Sequence, residues 1–363
     1  MKVRRITVQN FRAFKEEISI DFCDSFGKPS NLFLISGPNT SGKTSILDAI
    51  QVICETSANR ERPRLRKGLF FSAENFLNEK ETISKISITV DLEDSEKNEI
   101  NRLIEQNPRI SAKCLLDESE ETYEVSWEYP HSYSNNKIGT YFTPSIPSAL
   151  SGRGYLKQAL KVGEATTQLF EEIGGVCYFD PNKTLRETKP PNQNRYDKNK
   201  KFQQPKRPND PIQNLANWLS KAFNNHSGWD KERFGISTWE HIQEIFNDIC
   251  SPIELQGVEN GKGANCVKFI REGEVYGLNH ISSGELQILN FAVSLVMESS
   301  WNSVVLIDEI EQNLHPEWQL RMIEFLENDT RNNQYIVTTH TPYVVSKFLS
   351  DAHFSLGELD EWK

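Results

Sequence analysis

The sequence predicts an α/β fold: a mixed sheet with flanking helices, split into two lobes by an α+β insertion. Three observations carry this. A buried-strand run, a glycine-bracketed turn and an amphipathic helix follow one another from Leu32 to Cys54. A second apolar strand, Ser303–Ile307, closes on Asp308 and Glu309, and a third runs from Gln334 to His340. Between them, helical and alternating patterns mix without a long heptad repeat. The boundaries read as 1–92 for the N-lobe, 93–265 for the insertion and 266–363 for the C-lobe.

The bulk numbers permit this and exclude other classes. At 363 residues the chain is long enough for two domains or one large interrupted domain, and 37% hydrophobic residues support a packed core. No stretch approaches the roughly 18 apolar residues of a membrane span. The opening MKVRRITVQNF is strand-like and lacks an apolar signal core, so a cytoplasmic location without membrane contact is expected. Cys23, Cys54, Cys114, Cys177, Cys250 and Cys266 are scattered singly, with no C-x-x-C pair, which disfavours zinc ribbons and disulfide frameworks. The net charge of −10 does not steer the whole chain to a polyanion, although local basic patches remain available.

The turn after the first buried strand reads Gly37-Pro-Asn39-Thr-Ser41-Gly42-Lys43-Thr44-Ser45, fitting G-x-x-x-x-G-K-[ST]. Glycines let backbone N–H groups turn inward onto phosphate oxygens. Lys43 suits the β- and γ-phosphates, the Thr44 hydroxyl suits Mg²⁺, and the helix that starts here aims its positive end at the same anions. Ile46, Leu47, Ile50, Ile53 and Cys54 form the helical face this context requires. Asp308 suits a magnesium ligand and Glu309 a general base for the attacking water.

Two further segments fall in order. Ser282-Ser283-Gly284-Glu285 opens an apolar helix; it reads either as a second anion site or as a plain capping box. The strand Gln334–His340 ends in a histidine, a residue type that is structural more often than catalytic.

Together and in this sequence, these segments resemble the ATP-binding-cassette ATPases, whose P-loop heads close the signature of one subunit over the ATP held by another. The resemblance implies ATP and Mg²⁺ as cofactors, Ser282, Ser283 and Gly284 as signature residues, His340 as a switch histidine, and a head-to-tail dimer or higher oligomer. The stretch Ile6–Phe14 resembles the first strand of the SMC and RecF branch, where the arginine of N-F-R contacts nucleotide, which nominates Arg12. Asp308-Glu-Ile-Glu-Gln-Asn-Leu314-His315-Pro316 resembles the "DE-x-E-x-x-LHP" run of the overcoming-lysogenisation-defect (OLD) family. The match covers about residues 1–92 and 266–363. It implies an ATP-hydrolysing sensor or regulatory subunit of an anti-phage defence system with a separate nuclease or toxin effector, as in Septu, retrons and PARIS. The alternative is a RecF-like repair ATPase that binds DNA directly.

Two departures stand out. No glutamine lies between Gln51 and Gln106, so the usual Q-loop residue is unassigned, with Asn75 and Asn78 as the candidates. The sequence runs only to Lys363, so the TOPRIM nuclease domain that follows the OLD ATPase is not expected in it.

In the insertion, helices are expected over Asp94–Gln106, Tyr155–Ile173, Gln213–Phe223 and Thr238–Asp248, a hairpin over Ile110–Tyr129 and a strand over Val176–Phe179. Lys183–Asp210 holds nine Lys or Arg and four Pro with few apolar residues, a loop that reads equally as a basic finger for nucleic acid or a partner and as a solvated surface. Arg60, Arg62, Arg64, Arg66 and Lys67 form a smaller basic run, suited to a duplex or to pairing with acids. His131, His226 and His241 have no neighbours at metal-ligand spacing.

Overall fold

The computed structural model describes residues 1–58, 63, 65–66, 69, 76–79, 82–106, 115–132, 138–145, 147–162, 167–180, 211–259, 266–297, 301–348 and 352–357. In chain order it contains β1 (Lys2–Gln9), β2 (Ile18–Asp21), β3 (Leu32–Ser36), α1 (Lys43–Ala58), β4 (Ser84–Asp91), α2 (Asp94–Glu105), β5 (Thr122–Ser132), β6 (Ile138–Thr143), α3 (Ser148–Val162) and β7 (Val176–Phe179). There follow α4 (Pro211–His226), α5 (Lys231–Phe234), α6 (Thr238–Cys250), β8 (Glu254–Val258), β9 (Val267–Arg271), β10 (Glu274–Gly277) and α7 (Ser283–Met297). The last elements are β11 (Val304–Ile307), α8 (Pro316–Glu327), β12 (Gln334–Thr339), α9 (Pro342–Val345) and β13 (His353–Ser355). Residues 1–181, 298–312 and 326–363 form one unit, and residues 182–297 with 313–325 form another. The basic loop 183–210, Arg60, Arg62, Arg64, Lys67 and Asn75 lie outside the described residues.

The first unit holds two five-stranded sheets. One is antiparallel in the order β2-β1-β4-β5-β6, and the other parallel in the order β13-β3-β12-β11-β7. In β1 a bulge between Val3 and Arg5 keeps Val3 and Ile6, three residues apart, on one buried face. β3, β11 and β12 are buried along their whole length, as parallel strands covered on both faces are. α1 packs against β1 and β4 of one sheet and β7 and β12 of the other. Burial accordingly reaches nearly all round it, from Ile46 and Leu47 to Asp48 and Gln51.

The insertion readings meet the structure unevenly. α2 and β7 fall where periodicity puts them; of the hairpin expected over 110–129, residues 110–114 lie outside the described residues, and β5 (Thr122–Ser132) pairs with β6 further along. An Asx turn precedes β5, in which Asp117 Oδ1 accepts from the Ser119 amide at 2.9 Å. The helix expected over 155–173 starts earlier and ends sooner, as α3, before a short 3₁₀ turn at Thr167–Phe170. Gly152 and Gly154 lie inside α3, where they serve close packing. A Cβ on Gly154 would lie 2.6 Å from the Ala58 carbonyl, and one on Gly152 2.8 Å from Ile173.

The second unit carries the antiparallel sheet β10-β9-β8 with α4, α6 and α7 around it. A capping box starts α6: Ser237 Oγ accepts from Glu240 N while Glu240 accepts from Ser237 N. Trp239 is buried edge-on to Phe223 at 4.9 Å, and Trp218 is half-buried. His226 bonds Ser237 Oγ at 2.9 Å, and His131, in the first unit, stacks on Tyr141. Among the described residues no acid, histidine or cysteine cluster suits a metal, and no helix is long and apolar enough to cross a membrane.

Phe76 is fully buried, stacked on Phe11 and edge-on to Trp127 and Tyr129 at about the same distance. Phe76→Ala should cost about 3–5 kcal/mol in chemical denaturation, as deletion of a buried ring does. A loss under about 1 kcal/mol would mean that this cluster is not core.

Candidate active site

The turn between β3 and α1 is bent by Thr40 at φ 72° and Gly42 at φ 102°. A Cβ on Gly42 would stand 2.5 Å from the Phe14 ring, so glycine is required there for conformation and for space. Gly37 is equally confined, with the Leu356 carbonyl 2.5 Å from where its Cβ would be. Lys43 Nζ turns back to donate to the Gly37 and Pro38 carbonyls, both at 2.7 Å. Burial lowers the Lys43 pKa, while Glu309, Glu311 and Asp308 work against that shift.

Asp308 stands buried at the end of β11, beside this turn. Thr44 Oγ1 donates to its two oxygens at 3.1 and 2.9 Å, Thr338 Oγ1 donates to Oδ1 at 2.7 Å, and Tyr178 OH donates to Oδ2 at 3.3 Å. Burial, with the Asp308 and Asp48 carboxylates, pushes the Tyr178 phenol well above its ordinary value and keeps it a donor. Glu309, at φ 49°, donates its amide to Thr338 Oγ1 at 2.8 Å. Its carboxyl pKa is raised, chiefly by burial and then by Asp308 and Glu311. His340 is gripped twice by Glu311: Oε1 accepts from its backbone N at 2.7 Å and lies 2.8 Å from Nδ1.

A cavity of about 460 Å³ opens over this constellation, lined by Arg12, Asn39, Gly42, Lys43, Thr44, Ser45 and Glu309 among others. Seven of the residues nominated from sequence thus share one space. Gly37, Ser41 and Asp308 stand directly behind its lining, and His340 is held by Glu311 at the end of β12. Asn78, the described candidate for the missing glutamine, instead donates to the Arg12 carbonyl at 2.7 Å.

Ser282, Ser283 and Gly284 belong to the second unit, where the capping-box geometry is present. Ser282 Oγ accepts from Glu285 N at 3.2 Å, and Glu285 Oε2 accepts from Ser282 N at 2.9 Å. A Cβ on Gly284 would meet the Asn313 carbonyl at 2.8 Å, so glycine there also answers to packing.

The profile described as the RecF/RecN/SMC N terminal domain matches residues 2–356. The chain belongs to that family. Its fold is that of an SMC head: a crystal structure of an SMC head bound to the C-winged helix domain of ScpA aligns over 97% of this chain and 96% of its own, at TM-score 0.53 and 14% identity. Among curated proteins, a Vibrio cholerae serotype O1 biovar El Tor protein named Retron Vc95 probable ATPase is 29% identical over 160 residues, 41% of this chain and 31% of that protein. The Septu protein PtuA of Bacillus thuringiensis is 29% identical over 166 residues, 40% of each chain. The DNA replication and repair protein RecF of Prosthecochloris aestuarii is 40% identical over 77 residues, 21% of this chain and 19% of its own. The chain therefore spans less than half the length of the curated relatives it matches.

The residues fit the nucleotide and the Mg²⁺ that the sequence leads one to expect. Ser41 Oγ is buried in the turn after β3 with no hydrogen-bond partner among the described residues, and the Lys43 ammonium donates to carbonyls of its own loop. Thr44 and Asp308 supply the hard oxygen ligands that magnesium prefers.

The raised Glu309 pKa has a stability consequence. An acid whose folded pKa lies above its unfolded value destabilises the fold once pH rises through the folded pKa. Glu309→Gln should therefore raise the melting temperature at pH 7, with the gain shrinking as pH falls from the raised pKa to the ordinary carboxylate value and gone below it. A lower melting temperature at pH 7 would refute this reading of the Glu309 environment.

Proposed function

We propose that the chain binds ATP with Mg²⁺ and hydrolyses it, as the sensor or regulatory ATPase of a bacterial anti-phage defence system whose destructive effector is a separate protein. The observation that carries the ATP chemistry is the single cavity in which Lys43, Thr44 and Glu309 meet over Asp308. The defence role draws on the relatives named as a retron ATPase and as Septu PtuA.

In this reading Lys43 exchanges its loop carbonyls for phosphate oxygens, and Thr44 with Asp308 holds the metal, which when bound neutralises phosphate charge. Glu309 accepts a proton from the attacking water, and the raised pKa of its carboxyl makes it a stronger base for that task. Glu311 keeps His340 in one orientation at the strand end. Ser282, Ser283 and Gly284 serve a second copy of the chain, capping the ATP held by its partner. The second reading, a RecF-like ATPase that binds DNA directly, is favoured by the match to RecF. A steep fall in DNA affinity with salt would support it.

Lys43→Ala should abolish ATP binding in calorimetry, because the phosphates lose their point cation. Unchanged affinity removes the nucleotide reading. Glu309→Gln should retain binding and slow hydrolysis by about 10²–10⁴, the usual contribution of a general base. A mixture of Lys43→Ala and Ser282→Arg subunits should recover part of the turnover that each alone lacks. No recovery from folded, associating subunits would count against hydrolysis across an interface. The purified chain should leave plasmid and RNA intact with Mg²⁺ or Mn²⁺, and cleavage that co-purifies with it would contradict a separate effector.

A further inference from the structure

Arg66, the described arginine of the basic run after α1, turns towards the helix. Its Nε donates to Asp48 Oδ1 at 2.5 Å and its Nη2 to Oδ2 at 2.9 Å, a bidentate grip. The Asp48 side chain, in the second turn of α1, has no exposed surface. From the cavity side, Arg12 Nη1 approaches the same Oδ2 at 3.0 Å. One carboxylate thus faces two guanidinium groups, and the grips are unequal. Arg66 satisfies both oxygens, whereas Arg12 shares one and leaves its Nε buried without a hydrogen-bond partner.

The Arg12 backbone is fixed. Its N donates to the Phe76 carbonyl at 2.8 Å and its own carbonyl accepts from Asn78 at 2.7 Å. The side chain is a quarter exposed and lines the cavity that also holds Lys43. With a single cation on Asp48, drawing Arg12 away would strand a buried carboxylate, which is strongly unfavourable. The second cation removes that obstacle, because Arg66 stays behind to neutralise the acid.

We propose that Asp48 and Arg66 form a charge clasp that holds Arg12 at the rim of the cavity and yields it to a bound polyphosphate. Arg66 is then a positioning residue for nucleotide binding that acts only through Arg12. The inference rests on the nucleotide reading above.

The test is ATP affinity by calorimetry. Arg66→Gln leaves Arg12 to neutralise Asp48 alone and should weaken ATP binding about tenfold, a typical coupling between linked groups. In an Arg12→Ala background the same change should alter affinity by less than about twofold. Asp48→Asn combined with Arg66→Gln removes the competing carboxylate together with its partner, and affinity should return to within about twofold of the wild type. Equal weakening by Arg66→Gln with and without Arg12, or no recovery in the double variant, overturns the clasp. The double variant carries the test if Arg66→Gln alone does not fold. Lys43→Ala measured alongside separates the two failures. ATP binding retained there sinks the nucleotide reading, whereas binding lost there with additive Arg66 effects sinks only the clasp.

Discussion

A carboxylate at the end of a buried parallel strand is costly unless every lone pair finds a donor, and Asp308 is in that position. Its donors come from three directions: Thr44 on α1, Thr338 on β12 and Tyr178 on β7. Each lies on a different element, so satisfying one charge fixes the end of the phosphate turn against two strands that flank β11. Thr338 does more, since its oxygen also accepts from the Glu309 amide. The hydroxyl that orients the metal-ligand candidate therefore also fixes the backbone of the base candidate. The parallel register supplies the alignment. Ile307 pairs with Phe179 on one side and Val337 on the other, which brings Tyr178 and Thr338, one residue from each partner, alongside the strand end.

Strain gathers where this constellation forms. Asn10, Arg12, Thr40 and Glu309 all adopt positive φ, which non-glycine residues take up at a cost and keep only when their surroundings over-determine them. The surroundings do so. Asn10 donates to Glu79 O, Thr82 O and Thr82 Oγ1 and accepts from Glu79 N. Arg12 is held on both sides by Phe76 and Asn78, and Glu309 by Thr338. Side chains that face the cavity are thus carried on backbone that hydrogen bonds leave little freedom, which is the arrangement electrostatic preorganisation needs.

The phosphate turn, the Asp-Glu strand and the histidine strand were legible because each is a local pattern whose residue types have only a few uses. The residues that complete the site were not. Tyr178 sits in a four-residue strand with no motif, and its contact with Asp308 spans 130 positions. Thr338 lies in a fully buried strand and reads as ordinary β-propensity. Asp48 reads as one polar residue on an amphipathic helix, because nothing local says that α1 has strands of both sheets around it. The roles of Gly152 and Gly154 were hidden for the same reason, since they pack against Ala58, Ile100 and Ile173, distant in sequence. Chemistry was visible wherever it was local, and invisible wherever tertiary pairing created it.

The placement of α1 joins these threads. Most of the helix is core, yet its buried face also carries Lys43, Asp48 and Gln51. Gln51 Oε1 accepts from the Arg66 amide at 3.0 Å, so one turn of helix fixes the Arg66 backbone while Asp48 takes its side chain. A helix buried among strands of both sheets cannot rotate without unpacking Ile46, Leu47, Ile50 and Ile53. The spacing from Lys43 to Thr44, Asp48 and Gln51 is therefore rigid. Change at the cavity must come from side chains, above all Lys43 and Arg12, because the frame that carries them is the hydrophobic core itself.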